Sequence, residues 1–187
     1  MSPLIIVIIV VVVLALFLIS AYNRLVRLRN NRENAFADID VQLRQRHDLI
    51  PQLVEAVKGY MTHERELLTA VTNARAKAMG AGSINEKIAA ESQLSTALGG
   101  IQVAVEAYPD LKANQNFLNL QEEISDVENK LASVRRFFNS ATKELNVAVQ
   151  SFPSNIVAGM FGFSKEPMFD LGEKREAMEE PPKVSFN

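Results

Sequence analysis

The chain has 187 residues, no cysteine and no tryptophan, and a formal net charge of −2. The missing cysteines exclude disulfides, thiol catalysis and cysteine-ligated zinc or iron–sulfur sites, and the charge argues against a general nucleic-acid-binding protein. Glycine and proline are few, and the abundance of Ala, Leu, Glu, Gln and Asn favours helix over sheet.

An unbroken apolar run, LIIVIIVVVVLALFLI, covers residues 4–19. With its neighbours it makes a helix of about 20 residues, enough to cross a hydrocarbon core of about 30 Å. The poor cleavage site after it and the missing basic residues before it favour an uncleaved anchor over a signal peptide. Residues 1–22 are therefore predicted to form a transmembrane anchor, with membrane lipid as its partner.

The charges beside the anchor predict its orientation. Arg24, Arg27, Arg29 and Arg32 follow the apolar run, and no Lys or Arg precedes it. By the positive-inside rule, we expect a single-pass protein whose N-terminus is outside and whose body is cytoplasmic.

Beyond the anchor, an apolar stripe recurs in steps of three and four residues over 25–78, which is the spacing of one helix face. Three charged residues share this stripe: Arg32, Arg46 and Glu64. The stripe predicts one long helix, ended by the glycines and serine of 80–83.

Pro51 lies inside this predicted helix. A proline removes one helical hydrogen bond and crowds the carbonyl four residues back, that of His47. Asp48 could instead cap a new helix with Pro51 in its first turn. The stripe keeps its phase across Pro51, which favours a kinked helix over a hairpin.

Two further helices follow. The second begins at a capping-box pattern over 83–86, has its stripe over 84–105 and ends at 108–110. The third has apolar residues in regular steps over 117–152 and is stopped by Pro153. Short connections make neighbouring helices antiparallel.

The predicted fold is all-α: an N-terminal transmembrane helix followed by an elongated up-and-down antiparallel bundle over residues 23–163. It has three long helices and room for a fourth short one. The middle helix is too short to cover its neighbours, so part of the stripe should stay uncovered and meet another copy or a partner. Gly99 and Gly100 inside it predict close approach of another helix.

The C-terminal part divides into two pieces. SNIVAGMFGF, residues 154–163, has two equally weighted interpretations: a turn that caps the bundle, or a segment that touches a membrane or partner. Ten residues are too few to span lipid. Residues 164–187, with Pro167, Pro181 and Pro182 among mixed charges, are predicted to be a mostly disordered tail.

The sequence contains no catalytic signature. HEREL at 63–67 opens like the zinc-peptidase motif HExxH, but Leu67 replaces the second histidine, and one imidazole is insufficient for zinc. His47 and His63 would lie on nearly opposite faces of the predicted helix, about 24 Å apart along its axis. His63 is therefore predicted to be an exposed helix residue. We expect no catalytic residue, metal ligand, cofactor or small-molecule substrate.

Several stretches resemble the LemA family of bacterial membrane proteins. They are YNRLV, DIDVQLRQRHDLIPQLVEAVKGYMTHE, EAYPDLKANQNFLNLQEEISDVENKLASVRRFFNSATKELN and SFPSNIVAGMFGF, and they cover most of residues 22–163 in family order. The resemblance implies a helical bundle behind a transmembrane helix, in a bacterial inner membrane, and supplies no catalytic residues. Other relatives have a lipoprotein cysteine just before the Tyr-Asn pair, which this chain lacks.

The resemblance also bears on partners. LemA genes often neighbour genes for membrane metallopeptidases and TPM-domain proteins, and some relatives are associated with membrane organisation. Two hypotheses follow: a non-enzymatic scaffold that forms homo-oligomers and organises membrane or envelope proteins, or a regulatory adaptor of a membrane metallopeptidase or other envelope enzyme. An enzyme in its own right is the disfavoured third class.

Three patches that match the family are the candidate interaction residues. They are Asp48, Leu49, Ile50 and Pro51; Tyr108, Pro109 and Asp110; and Phe152, Pro153 and Asn155. A kink, a turn and a helix stop, respectively, also explain these residue types.

Overall fold

The computed structural model of the chain describes residues 2–169. The helices in that range are α1 (Pro3–Lys58), α2 (Arg65–Gly80), α3 (Ile84–Val105), α4 (Pro109–Lys112), α5 (Gln115–Gln150) and α6 (Ser154–Met160). None of the described residues forms a strand, and the predicted all-α fold is confirmed. The described chain divides into a first unit, residues 2–42 and 130–168, and a second unit, residues 43–129 with Phe169.

In the first unit, α1 packs against α5 in the antiparallel direction. The rings of Phe36 and Phe138 have centroids 5.5 Å apart, and Leu25 shares a cluster with Ala148. A later residue of α1 thus meets an earlier residue of α5. Val157 of α6 completes the cluster and is fully buried.

In the second unit, α2 and α3 are joined by three residues and also run antiparallel. Lys77 Nζ donates to Gln93 Oε1 at 2.9 Å, whereas Leu67, near the start of α2, lies against Gly100, near the end of α3. A Cβ atom built on Gly100 would lie 2.7 Å from Leu67 Cδ1, but nothing lies within 4 Å of one on Gly99. The predicted close approach is confirmed at Gly100 and wrong at Gly99.

Side-chain caps begin two of these helices. The predicted capping box is confirmed: Glu86 N donates to Ser83 Oγ at 3.2 Å, and Glu86 Oε2 accepts from Ser83 N at 3.0 Å. Gly82 N donates to the same carboxylate oxygen. At the start of α5, Phe117 N donates to Asn114 Oδ1 at 3.1 Å, so this side chain satisfies a first-turn amide that lacks a helical acceptor.

The long helix predicted over 25–78 is wrong in one respect: α1 ends at Lys58, and a six-residue connection separates it from α2. Lys58 in the last turn followed by Gly59 is an ordinary C-terminal signal. Met61 in the connection is 1 % exposed, so its side chain fixes the chain reversal in the core. His63 lies in this connection and is exposed, so its predicted helical position is also wrong.

The predicted stripes form the buried faces of the helices. Stripe residues of α5 that are at most 7 % exposed are Phe117, Leu120, Val127, Leu131, Phe138, Leu145 and Ala148. The prediction that part of the stripe stays uncovered in one chain is wrong for most stripe positions among the described residues, which are buried, although Leu98 and Ile124 are only half-buried. Helices α2 to α4 cover it in the second unit, and α6 with residues 163–168 covers it in the first.

Part of the predicted tail is held against the helices. Asn146 Nδ2 donates to Glu166 O, and Glu166 N donates to Asn146 Oδ1, both at 2.8 Å. Arg32 Nη2 donates to Pro167 O at 3.4 Å and lies 3.6 Å from a Glu166 carboxylate oxygen. Residues 164–168 therefore belong to the first unit, and the rest of the predicted disordered tail, from residue 170, lies outside the described residues.

Candidate functional site

The N-terminal part of α1 fits a membrane anchor. Near the N-terminus the helix is long and apolar enough to cross a membrane, and only 6 % of that stretch is buried within the structure. An apolar core helix of a soluble protein would be mostly buried, whereas here the large side chains from Leu4 to Ile19 are 38 % to 68 % exposed. Lipid is the solvent in which such a surface is stable.

A cluster of charged side chains lies inside the second unit. Arg46 Nη1 donates to Glu91 Oε2 at 3.1 Å, and Arg46 Nη2 donates to Ser95 Oγ at 2.9 Å. Arg46 Nε lies 2.7 Å from Glu128 Oε1. His47 Nε2 lies 2.5 Å from the second oxygen of Glu91. The cluster thus joins α1, α3 and α5.

This cluster is a structural tie between helices. The Glu91 side chain is 1 % exposed and the Arg46 side chain 4 %, so both charges have lost nearly all their water. Burial of a charge is tolerable only when partners compensate for the lost hydration. Both oxygens of Glu91 contact neighbouring side chains, and the side chain is nearly inaccessible to solvent, so a bound molecule has no open access to this carboxylate.

Pro51 creates a second polar tie in the same unit. It lies inside α1, so the predicted continuation of the helix through this residue is confirmed. Because proline has no N–H, the carbonyl of His47, four residues back, loses its helical donor. Arg75 Nε of α2 donates to that carbonyl at 2.7 Å. The proline therefore gives α2 a backbone acceptor on α1.

A half-open cleft of about 650 Å³ adjoins the charged cluster. Its apolar lining consists of Leu53, Leu98, Ile101, Val105, Phe117, Leu118 and Ile124. Arg46 and Glu128 line it as well, together with Lys112 and Glu106, which form an ion pair at 2.7 Å. Apolar walls with a few charged groups and this volume are typical of binding pockets.

The residues of the charged cluster leave a partial signal in the sequence. Arg46 and Glu91 both occupy stripe positions, where a charge is expected to be buried with its helix face. The sequence shows each as an interruption of an apolar pattern. It does not show that the two interruptions, 45 residues apart, pair with each other.

The first candidate patch lies on α1 in the second unit. Ile50 is buried, Leu49 is half-buried, and both belong to the core. Asp48 and Pro51 are exposed. The structural effect of Pro51 is to leave the His47 carbonyl without a helical donor, so that it accepts from Arg75. A partner contact at this patch stays a prediction.

The other two patches lie at helix ends. Tyr108 is the half-buried residue before α4, Pro109 is the first residue of that helix, and Asp110 is exposed in its only turn. Phe152, Pro153 and Asn155 lie in the first unit around the start of α6. Phe152 is 80 % exposed, Asn155 is exposed and Pro153 is half-buried. The structure therefore places two patches in the second unit and one in the first. Their role in binding stays a prediction.

Residues 2–169 contain no group of three or more His, Asp or Glu side chains that could hold a metal ion. His63 is exposed in the α1–α2 connection, and His47 faces Glu91 within the buried cluster. The two histidines have separate surroundings, and within the described part neither belongs to a metal-binding constellation.

Sequence comparison with known proteins identifies relatives of this chain. The sequence model of the LemA family matches residues 35–186, which includes the predicted tail and leaves out the anchor. Protein LemA of Metamycoplasma hominis is 26 % identical over 152 residues, with 81 % of this chain and 69 % of that protein covered. Magnetosome protein MamQ of Magnetospirillum gryphiswaldense is 21 % identical over 178 residues, with 81 % and 65 % covered. Magnetosome protein MamQ 2 of Paramagnetospirillum magneticum is 20 % identical with the same coverage.

The chain thus spans about two thirds of the length of these relatives. The family match extends over more than three quarters of the chain and includes the charged cluster, the second unit and residues 35–42 and 130–168 of the first unit. The resemblance inferred from the sequence motifs is confirmed, and the chain belongs to the LemA family.

Proposed function

We propose that this protein is a non-enzymatic scaffold that is anchored in a bacterial inner membrane, self-associates and organises membrane or envelope proteins. The observation that carries the proposal is the exposed apolar stretch at the start of α1, which is continuous with the packed helices. This stretch would hold the helical body at the membrane surface.

The interior of the second unit supports a non-enzymatic role. The carboxylate of Glu91 contacts Arg46 and His47, and its side chain is only 1 % exposed. A general acid or base needs an open position within hydrogen-bond distance of a substrate. The buried cluster is suited to hold helices in register.

Self-association rests on a different observation from the one expected. The stripes are mostly covered within the chain, and part of what stays accessible lines the cleft of the second unit. The cleft of the second unit does offer an apolar surface, with Leu118 on its lining and 42 % exposed. A second copy is the proposed occupant. The membrane-organising role is supported by the relatives named magnetosome proteins.

Crosslinking in native membranes at native expression tests self-association. We expect discrete oligomers, and we expect Leu118→Lys to reduce them because a charge would enter an apolar contact. Ser140→Lys, which adds the same charge at an exposed position of α5, is the matched control and should leave the oligomers unchanged. Monomers alone in the wild type would contradict the proposal.

The alternative function, an adaptor of a membrane metallopeptidase or TPM-domain protein, predicts a different product. Purification from the same crosslinked membranes would then recover the enzyme or TPM-domain protein bound to single copies of this chain. That result would replace self-association with regulation of the enzyme.

We propose that the N-terminus lies outside and the body in the cytoplasm. Single introduced cysteines can test this orientation, because the native sequence has none. Ser2→Cys should react with a membrane-impermeant maleimide added to spheroplasts, whereas Ser140→Cys should react only after lysis. The reverse pattern would show that the body lies outside the cytoplasm.

A further inference from the structure

Helix α6 is apolar on both sides. Its inner residues Val157 and Ala158 are buried, whereas Ile156 is 54 % and Met160 is 66 % exposed. Ile156 and Met160 are four residues apart and therefore share the outer face. A helix on the surface of a water-soluble domain normally has a polar outer face, so an aqueous surrounding does not explain this pattern.

The exposed apolar surface extends beyond the helix at both ends. Phe152, just before α6, is 80 % exposed, and Phe161, just after it, is 53 % exposed. Together with Ile156 and Met160 they form what is called here the α6 patch. Four large neighbouring apolar side chains form a patch rather than the scattered exposure that is normal on protein surfaces.

The α6 patch is fixed beside the end of the membrane anchor. Val157 and Ala158 share a cluster with Ala21 and Leu25 of α1, and the rings of Tyr22 and Phe161 have centroids 4.8 Å apart. At a rise of 1.5 Å per residue, Ala21 to Leu25 lie about 3–9 Å beyond the last residue of the apolar run, Ile19. The headgroup layer on one side of a bilayer is about 5–8 Å thick. In a bilayer crossed by the apolar run, the patch would therefore lie at the depth of the lipid interface.

The charges at this level fit the same surrounding. Arg24 and Arg27 are exposed on α1, where they can reach lipid phosphates. The guanidinium of Arg29 lies 4.1 Å from the ring centroid of Phe163. Tyr22 is an amphipathic ring of the kind enriched at membrane interfaces. Aromatic and basic side chains thus lie on the part of α1 that packs against α6 or within two turns of it.

We propose that α6 lies in the interface of the bilayer that the anchor crosses, with the α6 patch inserted among headgroups and upper acyl chains. This inference rests on the proposed membrane anchoring and adds a second lipid contact. Lipid covers the patch because the patch adjoins the anchor's own lipid-facing surface. Helix α6 is too short to span the membrane, so it lies in the interface. Both interpretations of residues 154–163 then apply. One face of α6 packs against α1 and α5 and caps them, and the other face contacts the membrane.

The absence of native tryptophan allows a direct depth measurement. Full-length single-tryptophan variants Phe152→Trp and Met160→Trp are reconstituted in vesicles of phosphatidylcholine and phosphatidylglycerol, with and without lipids brominated in the upper acyl chain. Phe137→Trp is the matched control. It lies on α5, is 63 % exposed and precedes Phe152 by about 22 Å of helix. Phe17→Trp, inside the anchor, reports anchoring itself.

We expect brominated lipid to remove about half of the emission of Phe152→Trp and Met160→Trp, as for side chains buried about 5–10 Å below the headgroups. Phe137→Trp should not be quenched. Quenching of Phe17→Trp alone would overturn the interfacial role of α6 and leave the anchor intact. No quenching of Phe17→Trp would overturn the anchor. Blue-shifted but unquenched emission from Phe152→Trp would show a protein partner on the patch, and would also overturn the proposal.

Discussion

The two units join their parts with different polar chemistry. In the second unit, helices are tied by charged side chains: Arg46 and His47 of α1 meet Glu91 of α3. In the first unit, the side chains of Asn146 and Arg32 bond to backbone groups of residues 166 and 167. The difference follows from what is being held. A helix has already paired its interior backbone groups, whereas a segment without regular structure still needs partners for them.

The two arginines on the α1 stripe show the same contrast. Arg46 has two carboxylate partners, whereas the buried Arg32 lies 3.6 Å from a partly exposed carboxylate oxygen of Glu166 and donates to the backbone carbonyl of Pro167. Burial lowers the pKa of Arg32 from its ordinary value, and the Glu166 and Glu33 carboxylates act in the opposite direction. An arginine remains protonated at physiological pH in any case, so the buried charge of Arg32 needs polar partners. The Glu166 carboxylate and the Pro167 carbonyl supply two of them.

The largest loss of stability is expected when the buried Arg46–Glu91 ion pair of the second unit is broken. Glu91→Leu leaves Arg46 with less compensation for its lost hydration and should lower the free energy of unfolding by about 3–5 kcal/mol. The double variant Arg46→Met with Glu91→Leu should recover much of that loss, because neither buried charge remains. Chemical unfolding in detergent, followed by circular dichroism, measures both.

Glu128→Gln is the control for that experiment, because the Glu128 side chain is 33 % exposed. Its ion pair is partly solvated, so the cost should be about 1 kcal/mol or less. Equal losses for Glu91→Leu and Glu128→Gln would mean that burial does not set the strength of these pairs.

The next effect tests the first unit. Asn146→Ala removes both side-chain bonds to the backbone of Glu166 and should cost about 1–3 kcal/mol, because partly buried backbone groups lose their partners. Hydrogen exchange of the Glu166 amide should accelerate while amides in α3 stay protected. Asn155→Ala, at an exposed position beside the same helices, is the control and should change neither.

A smaller effect concerns the start of α3. Ser83→Ala removes the N-cap acceptor and should cost about 1 kcal/mol. Hydrogen bonds from Ser83 N, Gly82 N and the Ser83 hydroxyl lower the pKa of Glu86. Because the folded pKa lies below the unfolded one, this carboxylate contributes stability above the unfolded value of about 4.3, and the contribution is lost as pH falls through the folded value. Glu86→Gln should remove this acid-dependent part of a pH titration of stability.

The smallest effect compares neighbouring glycines of α3. Gly99→Ala should stabilise the helix by about 0.5–1 kcal/mol, since alanine has the higher helix propensity and the site is open. Gly100→Ala should gain less or lose stability, because its new methyl group would displace Leu67 of α2. Thermal unfolding of the two variants, measured side by side, compares their stabilities. A larger gain at Gly100 than at Gly99 would show that α2 and α3 do not approach closely there.

The sequence predicts the buried faces well because burial of a helix face leaves a regular apolar spacing. The α5 stripe shows this, with Leu131 and Phe138 fully buried. The end of α1 was missed because Tyr60 and Glu64 continue the three- and four-residue steps through a connection that is not helical. Spacing alone cannot distinguish a helix from a turn that keeps its phase, and the local signal, Lys58 followed by Gly59, was the better guide.

The polar contacts were beyond a single sequence for a different reason. Pairing of Arg46 with Glu91, or of Asn146 with the backbone of residue 166, depends on which helix faces meet in three dimensions. The apolar character of residues 154–163 was visible, but its division into a buried and an exposed face required the contacts of Val157 with Leu25.

Pro51 interrupts the hydrogen bonding of α1 and thereby helps to fix the register of α2 against it. Every other interior carbonyl of a regular helix is already bonded, so a neighbouring helix could slide by one turn with little change in its backbone contacts. The missing donor leaves a single acceptor at His47, and Arg75 occupies it. A one-turn slip of α2 would move the guanidinium about 5 Å away from that oxygen. The proline thus makes one of several similar helix pairings distinguishable from the rest.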